Sequence, residues 1–478
     1  MSATAYRRRI PAPPKGRDKL KWYGPGLLWM LSAVGTGSIL FTPRVASAYQ
    51  YQLAWLLLLV VFFMWLMIRE MARYSIVSGE TMLEGMYHLP GPRGWAVWVI
   101  FVPQLLAAAV GIAGLSAVVG SALGAFLPGG ATVYGIVVVV LSTAFTVSGQ
   151  YLTIEKFSRV MALLLMLMVI VSAITVSPDL AAIGEGLLPQ WPEDPELYVI
   201  LPWVGTILAG SMGIVWFGYW TATRGFGGGL CSRDADDEIP QDTREEHAAS
   251  ELGSERDDTR RARARDWIRI MTGTATLGVV GGLVVIFAFM ILGAELLAAK
   301  GIMPQGTDVA VDLARLFSEV WGPAGKFLLL AAMIIALGGS VLANQDGWGR
   351  SFADITLILC RRRHTDNAPW LVRQMETLER HTGWTIFQRR HLKRFYIALI
   401  TGIIPVGILL VFSDPVKVMS ASGIIAAAHT PFIVFTALWV NRRRLPEGLQ
   451  PGLATTLAMG LAGLFYLGFA VVYVGRLW

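Results

Sequence analysis

One repeating feature dominates this chain: apolar runs of about 18–28 residues, each bounded by clusters of charge and proline. Roughly 20 consecutive apolar residues cross a bilayer core as a helix. Inside that core each backbone N–H and C=O must find its partner within the protein. Runs of this length therefore predict an all-α polytopic membrane protein. Eleven spans are present, three of them longer than that, at approximately 25–48, 51–72, 95–127, 131–149, 157–177, 199–223, 268–298, 323–358, 393–413, 417–440 and 451–475. Composition agrees: 15% of the 478 residues are charged, against about 25% in soluble domains. The two cysteines, Cys231 and Cys360, adjoin charged loop sequence, which argues against a disulfide framework or a thiolate metal site.

The net charge of +7 is not spread evenly. Basic clusters lie in the leader (Arg7, Arg8, Arg9, Lys15, Arg17, Lys19, Lys21) and after the sixth span (Arg260, Arg261, Arg263, Arg265). They recur after the eighth (Arg361, Arg362, Arg363, Arg389, Arg390) and after the tenth (Arg442, Arg443, Arg444). Basic-poor loops such as 178–198 alternate with them. Roughly 34 of the 40 basic residues fall on one side, and cytoplasmic loops are the ones enriched in Lys and Arg. The charge therefore reads as topology in a plasma membrane, with no nucleic-acid partner. The N-terminus is expected in the cytoplasm and Trp478 outside.

This divides the chain into a basic leader (1–24), five spans (25–177), five more (199–440) and an eleventh (451–475). The second five carry two long cytoplasmic loops, 225–267 and 360–392. Residues 228–266 place acids first and arginines last, the composition of a solvated, disordered loop or of a regulatory arm. In the second loop, Leu371, Met375 and Leu378 have the spacing of a short amphipathic surface helix.

Two spans are interrupted. The first reads "SAVGTGSILFTPR" (32–44), with Gly35, Thr36, Gly37 and Ser38 at mid-membrane depth. The sixth reads "ILAGSMGIVWFGYW" (207–220), with Ala209, Gly210, Ser211, Met212 and Gly213. The two are five spans apart and run in opposite directions. Paired glycine interruptions at corresponding places in two inverted halves point to the substrate site of a secondary transporter. Helix unwinding frees backbone groups that a ligand or ion then satisfies. The competing reading is close helix packing through small residues.

Four stretches together resemble the Nramp family of proton-coupled divalent metal transporters. They are "YGPGLLWM" before the first interruption, "YQLAWLLLLVVFFMWLMIREMARYSIVSG" in the second span, "RFYIALITGIIPVGILLV" in the ninth and "TPFIVF" in the tenth. The resemblance implies a LeuT-like inverted 5+5 repeat with broken helices 1 and 6, plus the eleventh helix. It also locates the family signatures. Asp-Pro-Gly-Asn falls on Gly35, Thr36, Gly37 and Ser38. Ala-x-x-Met-Pro-His falls on Ala209, Met212, Gly213 and Ile214 in an ungapped register; a register shifted by two puts Trp216 at the His. Acidic positions of the third span fall on Gly114 and Ala117.

The metal-binding carboxylate is thus missing, and Ser38, Ala209 and Met212 are the remaining weak metal ligands. Hard divalent cations prefer carboxylate and carbonyl oxygens. Manganese or iron transport of the family kind is therefore not expected. A divalent ion that keeps part of its water shell, above all magnesium, fits better. "GTGSILF" also resembles the Gly-x-Gly of amino acid–polyamine–organocation transporters, whose bare N–H groups hold a carboxylate. A transport-dead sensor is the third possibility.

Other polar groups sit within the apolar runs. Asn344, Gln345 and Asp346 lie in the eighth span, where Asp346 is a candidate for a coupling H⁺ or Na⁺ or a structural partner of Arg350. His429 in the tenth span is a candidate gate or proton site. Arg44, near the outer end of the first, guards an entrance or snorkels to headgroups. No nucleotide loop, zinc spacing or nucleophile elbow occurs, so neither an enzyme nor a bound cofactor is expected.

Overall fold

The computed structural model describes residues 10–475 except 34, 36, 150, 151, 231–256, 361–373, 375, 376, 378–380 and 382–387. Thr36, Trp478, most of the first long loop and the expected amphipathic stretch around Leu371, Met375 and Leu378 lie outside the described residues.

Among the described residues, 10 helices are long and apolar enough to cross a membrane. They are Ala54–Ser78, Trp95–Gly124, Ala131–Ser148, Leu152–Thr175, the sixth span (Leu197–Thr206 with Ser211–Thr223), Asp257–Leu292, Val309–Leu359, the ninth (Arg389–Ala398 running on through Ile404–Val411), Pro415–Arg444 and Leu453–Gly475. The first span brings the number to eleven. It is split into Gly24–Ala33 and Thr42–Tyr49, joined by a π-helical turn at Gly37–Phe41, so neither half crosses alone.

Local chemistry sets the ends. Gly79 and Gly149 close the second and fourth spans in left-handed geometry, with φ of 71° and 78°. Asp414 starts the tenth by accepting from the N–H groups of Val416 and Lys417. Thr81 and Glu84 form a reciprocal capping box on a short helix, Met82–Tyr87, after the second span.

Three boundaries differ from the sequence reading. The seventh span begins at Asp257, because the arginine-rich end of the first long loop continues the helix. Residues 257–266 are therefore helix and not solvated loop. The eighth has an added helical segment from Val309 that turns at Gly322 (φ 64°, ψ −158°) ahead of Pro323, a backbone that glycine adopts without strain. The loop after the fifth span also holds a short helix, Leu180–Gly186.

Packing reproduces the two halves. The third span lies against the fourth and tenth, and its counterpart, the eighth, lies against the ninth and fifth. The trailing half of the sixth packs on the second, as the trailing half of the first packs on the seventh. The fold is the LeuT-like inverted repeat, and the eleventh span stands outside it against the tenth and second.

One pair breaks the symmetry. The leading half of the sixth span is pressed on the tenth so closely that a Cβ on Gly205 would collide with the Gly423 carbonyl. The leading half of the first touches the fifth only slightly, and leans on the seventh, where Gly26 abuts Thr274 and Gly278. The leading half of the sixth span is thus tightly packed at the basic-poor end, while that of the first packs more loosely on its corresponding neighbour at the basic end. At the basic end, Arg73 reaches the buried Glu70 at 2.8 Å and Asn441 donates to the Glu70 carbonyl at 2.9 Å, joining the second and tenth spans.

Candidate substrate site at the two helix breaks

The break in the sixth span is sharp. The helix stops at Thr206, Ile207 turns extended (φ −55°, ψ 125°), Leu208 takes a left-handed φ of 63°, and the helix restarts after Gly210. A leucine in that region costs about 1–2 kcal/mol. Leu208 is held there by complete burial. The break thus occupies Ile207–Gly210, earlier than the sequence placed it. Ser211, Met212 and Gly213 are helical, because Gly210 and Ser211 can start a helix as readily as they end one. Ala209 and Gly210 lie in the break itself and are half-buried. In the first span the described helix ends at Ala33, Gly35 is non-helical and half-buried, and Gly37 and Ser38 are buried in the π turn that follows.

The two breaks face each other. A Cβ on Gly37 would collide with the carbonyl of Thr206, the last helical residue before the other break. Trp203 donates its indole N–H to the Thr42 hydroxyl at 3.0 Å, and Thr42 donates to the Gly37 carbonyl at 2.9 Å. The Gly37 carbonyl at the start of the π turn thereby takes a side-chain bond from within the fold. Trp29, fully buried, meets Phe217 and Trp220 edge-on at 5.5 and 6.2 Å and carries the contact toward the basic end.

A cleft of about 540 Å³ of empty space, part of it open to solvent, runs along the helix after the sixth-span break, from Met212 on. Met212, Trp216 and Trp220 line one wall; Gly347, Arg350 and Asp354 of the eighth span line the other. Trp216 donates to Ser351 at 2.7 Å, which holds its ring against the eighth span. The cleft opens among elements of the basic end, in keeping with the looser packing there.

Behind the break lies a polar cluster that joins the candidates Ser211 and His429 through Gln104, a residue that sequence reasoning missed. Gln104, from the third span, donates through its amide nitrogen to Ser211 Oγ at 2.7 Å and meets His429 Nδ1 at 2.8 Å. All three are buried, and Gln104 Oε1 has no hydrogen-bond partner. The available signal was an amide beside Pro103 in an otherwise apolar span. Gly114, on the same helix, is occupied by close backbone contact with Met419, so no side chain fits there.

The eighth-span candidates do not reach the breaks. Gln345 is fully buried and donates to Thr143 Oγ1 at 2.9 Å and to the Thr401 carbonyl at 2.8 Å, clamping the fourth, eighth and ninth spans. Asn344 bonds its own helix at Ser340. Asp346 lies between Arg350 at 2.6 Å and Lys393 at 2.7 Å, so the structural pairing is what the geometry shows, with a second cation that the sequence did not reveal. Arg44 is only 7% exposed, which is unlike a snorkelling side chain, and its Nε and Nη1 have no hydrogen-bond partners.

Comparison with known proteins follows this geometry. The family described as natural resistance-associated macrophage protein-like matches residues 26–345. A manganese transporter of Eremococcus coleocola superposes over 100% of this chain and 91% of its own, at 12% identity and a TM-score of 0.59. The same transporter in complex with an aromatic bis-isothiourea substituted compound superposes over 98% and 91%, again at 12% identity, with a TM-score of 0.57. These are likenesses of fold. An uncharacterized protein of Pasteurella multocida (strain Pm70) is 26% identical over 176 residues, 35% of this chain. The chain spans 39% of the length of that curated relative.

Proposed function

We propose a function from one premise: the chain belongs to the Nramp family of membrane transporters. On our reading it is a secondary transporter that carries a small cation through the facing breaks, and its site has left transition-metal chemistry. One observation carries this. Among the described residues, no group of three or more His, Cys, Asp or Glu side chains could hold a metal ion. What the breaks offer is backbone carbonyls and N–H groups, the hydroxyls of Ser38 and Ser211, and the Met212 thioether. The Thr36 hydroxyl belongs to the same proposed set.

Such donors carry no negative charge to offset a lost hydration shell. Neutral oxygen ligands suit a cation that enters with part of its water, and magnesium dehydrates most reluctantly of the common divalent ions. The basic end is taken as cytoplasmic, and the described conformation is then open to the inside. Movement between this state and one open to the outside would follow from rocking of one half against the other.

A second reading rests on Arg44. A buried guanidinium with two unpartnered nitrogens, on the trailing half of the first span, favours a substrate with a carboxylate, such as an amino acid. Purified protein in liposomes separates the readings by uptake of magnesium, manganese and amino acids in turn. Magnesium flux with weak manganese competition supports the first. Tight, saturable, micromolar manganese transport overturns it. Flux of none of them favours the sensor. As a converse test, Gly35→Asp with Ser38→Asn should create manganese affinity measurable by calorimetry.

A further inference from the structure

We propose that His429, Gln104 and Ser211 form a proton-operated relay, in which the charge state of His429 sets whether Ser211 presents a hydrogen or a lone pair to the sixth-span break. The inference rests on the transporter reading only for its use; the relay itself stands on three side chains and their bonds. The third, sixth and tenth spans each contribute one of them.

The hydrogen-bond bookkeeping has two solutions. With His429 neutral and its proton on Nε2, Nδ1 is an acceptor. Gln104 then spends both amide hydrogens, one on Nδ1 and one on Ser211 Oγ, and its Oε1 is left without a partner, as found. Ser211 is an acceptor toward Gln104, and its own O–H is free to donate elsewhere. Adding a proton to Nδ1 makes that nitrogen a donor. The geometry survives only if the Gln104 amide turns over and puts Oε1 where its nitrogen was. Oε1 then accepts from both His429 Nδ1–H and the Ser211 O–H. The unpartnered atom has become the shared one, and the lone pairs of Ser211 are now available at the start of the helix after the break. No bond other than the N–H on Nδ1 is made, and the proton comes from water.

His429 is placed for this by the absence of competing charges nearby. The third span carries no charged residue. From the sixth span the titratable groups are Tyr198 and Tyr219, from the eleventh Tyr466 and Tyr473, and His429's own helix ends in Arg442, Arg443 and Arg444. The second span brings Arg69, Glu70, Arg73 and Tyr74. The Glu70 cluster is tied to Asn441, 12 positions beyond His429 on the same helix, or about 18 Å along its axis. The short helix Met82–Tyr87 adds Glu84 and Tyr87, with Glu84 engaged in its capping box. Asp308 sits on the turn packed against the tenth span, and Asp414 and Lys417 sit at that span's start. Among these described groups, none forms an ion pair with His429.

The test uses the full-length protein in lipid nanodiscs, labelled with ¹⁵N-histidine, with the His429 signal assigned by its loss in His429→Gln. The neutral imidazole should be the Nε2–H tautomer. Ser211→Ala removes a group whose side-chain bond goes to Gln104 and not to the imidazole. It should nevertheless move the midpoint of His429 titration by roughly half a pH unit or more, the scale of one hydrogen bond. In a Gln104→Met background the same Ser211→Ala change should move it by nothing measurable. Gln104→Leu serves the same purpose if Gln104→Met does not fold. A midpoint indifferent to Ser211→Ala, an equal shift with and without Gln104, or an Nδ1–H neutral tautomer would each overturn the relay. None of these readouts depends on flux, so failed ion uptake would remove the transporter reading and leave the relay judged on its own.

Discussion

Trp203 and Thr42, 161 residues apart, are joined by a hydrogen bond of 3.0 Å that ties the leading half of the sixth span to the trailing half of the first. Thr42 passes the connection on to the carbonyl of Gly37, so one hydroxyl satisfies a buried indole and ties it to the π turn after the first break. The bond lies between the two interruptions and fixes how their backbones approach.

Thr42→Val keeps the shape of the side chain and removes both bonds. It should destabilise the protein by about 1–3 kcal/mol, because the indole N–H of Trp203 is left buried and unpartnered. Thr42→Ser should retain most of the stability. Melting of the detergent-purified variants, followed by intrinsic fluorescence, distinguishes the two.

Gly37→Ala places a methyl group against the Thr206 carbonyl. Something must move, and overpacking of this kind costs roughly 1–3 kcal/mol. Since the collision lies where the breaks meet, magnesium flux per folded molecule should fall well beyond the loss of folded protein. Equal losses would show that Gly37 serves packing alone.

Asp346→Asn leaves Arg350 and Lys393 without their shared carboxylate. The expected loss is roughly 2–3 kcal/mol, reduced from the value for a fully enclosed pair by the partial exposure of both cations. Flux per folded molecule should be preserved. A well-folded Asp346→Asn protein that has lost only concentrative uptake would return Asp346 to the role of a coupling site.

Orientation is tested by labelling intact cells with a membrane-impermeant maleimide, in a Cys231→Ser, Cys360→Ser background. Lys300→Cys, in the turn after the seventh span, should react, and Ser250→Cys in the charged loop should not. The opposite pattern would invert the topology.

Hydropathy located the spans because burial in a bilayer depends on the length and composition of a segment, properties that its own residues carry. The interruptions at Gly35–Ser38 and near Gly210 were legible for the same reason: glycine and hydroxyl residues in an apolar run weaken the helix where they stand. Residue chemistry did not fix which of them would break. Ser211 and Gly213 joined a helix, and Leu208, with nothing in its side chain to suggest it, took the left-handed turn because surrounding packing holds it there. Nor could the partners of the polar groups be read locally. Gln104 meets Ser211 across 107 positions and His429 across 325, and Asp346 acquires Lys393 from the next span. A helix presents its side chains every 100° or so, and only the rotation and crossing of helices in the assembled bundle decide which of them share a buried space. The chain alone therefore determined that it spans a membrane and roughly where it bends. The packed structure decided that Gln345 and Asp346 brace the scaffold while an unremarked glutamine stands behind the site.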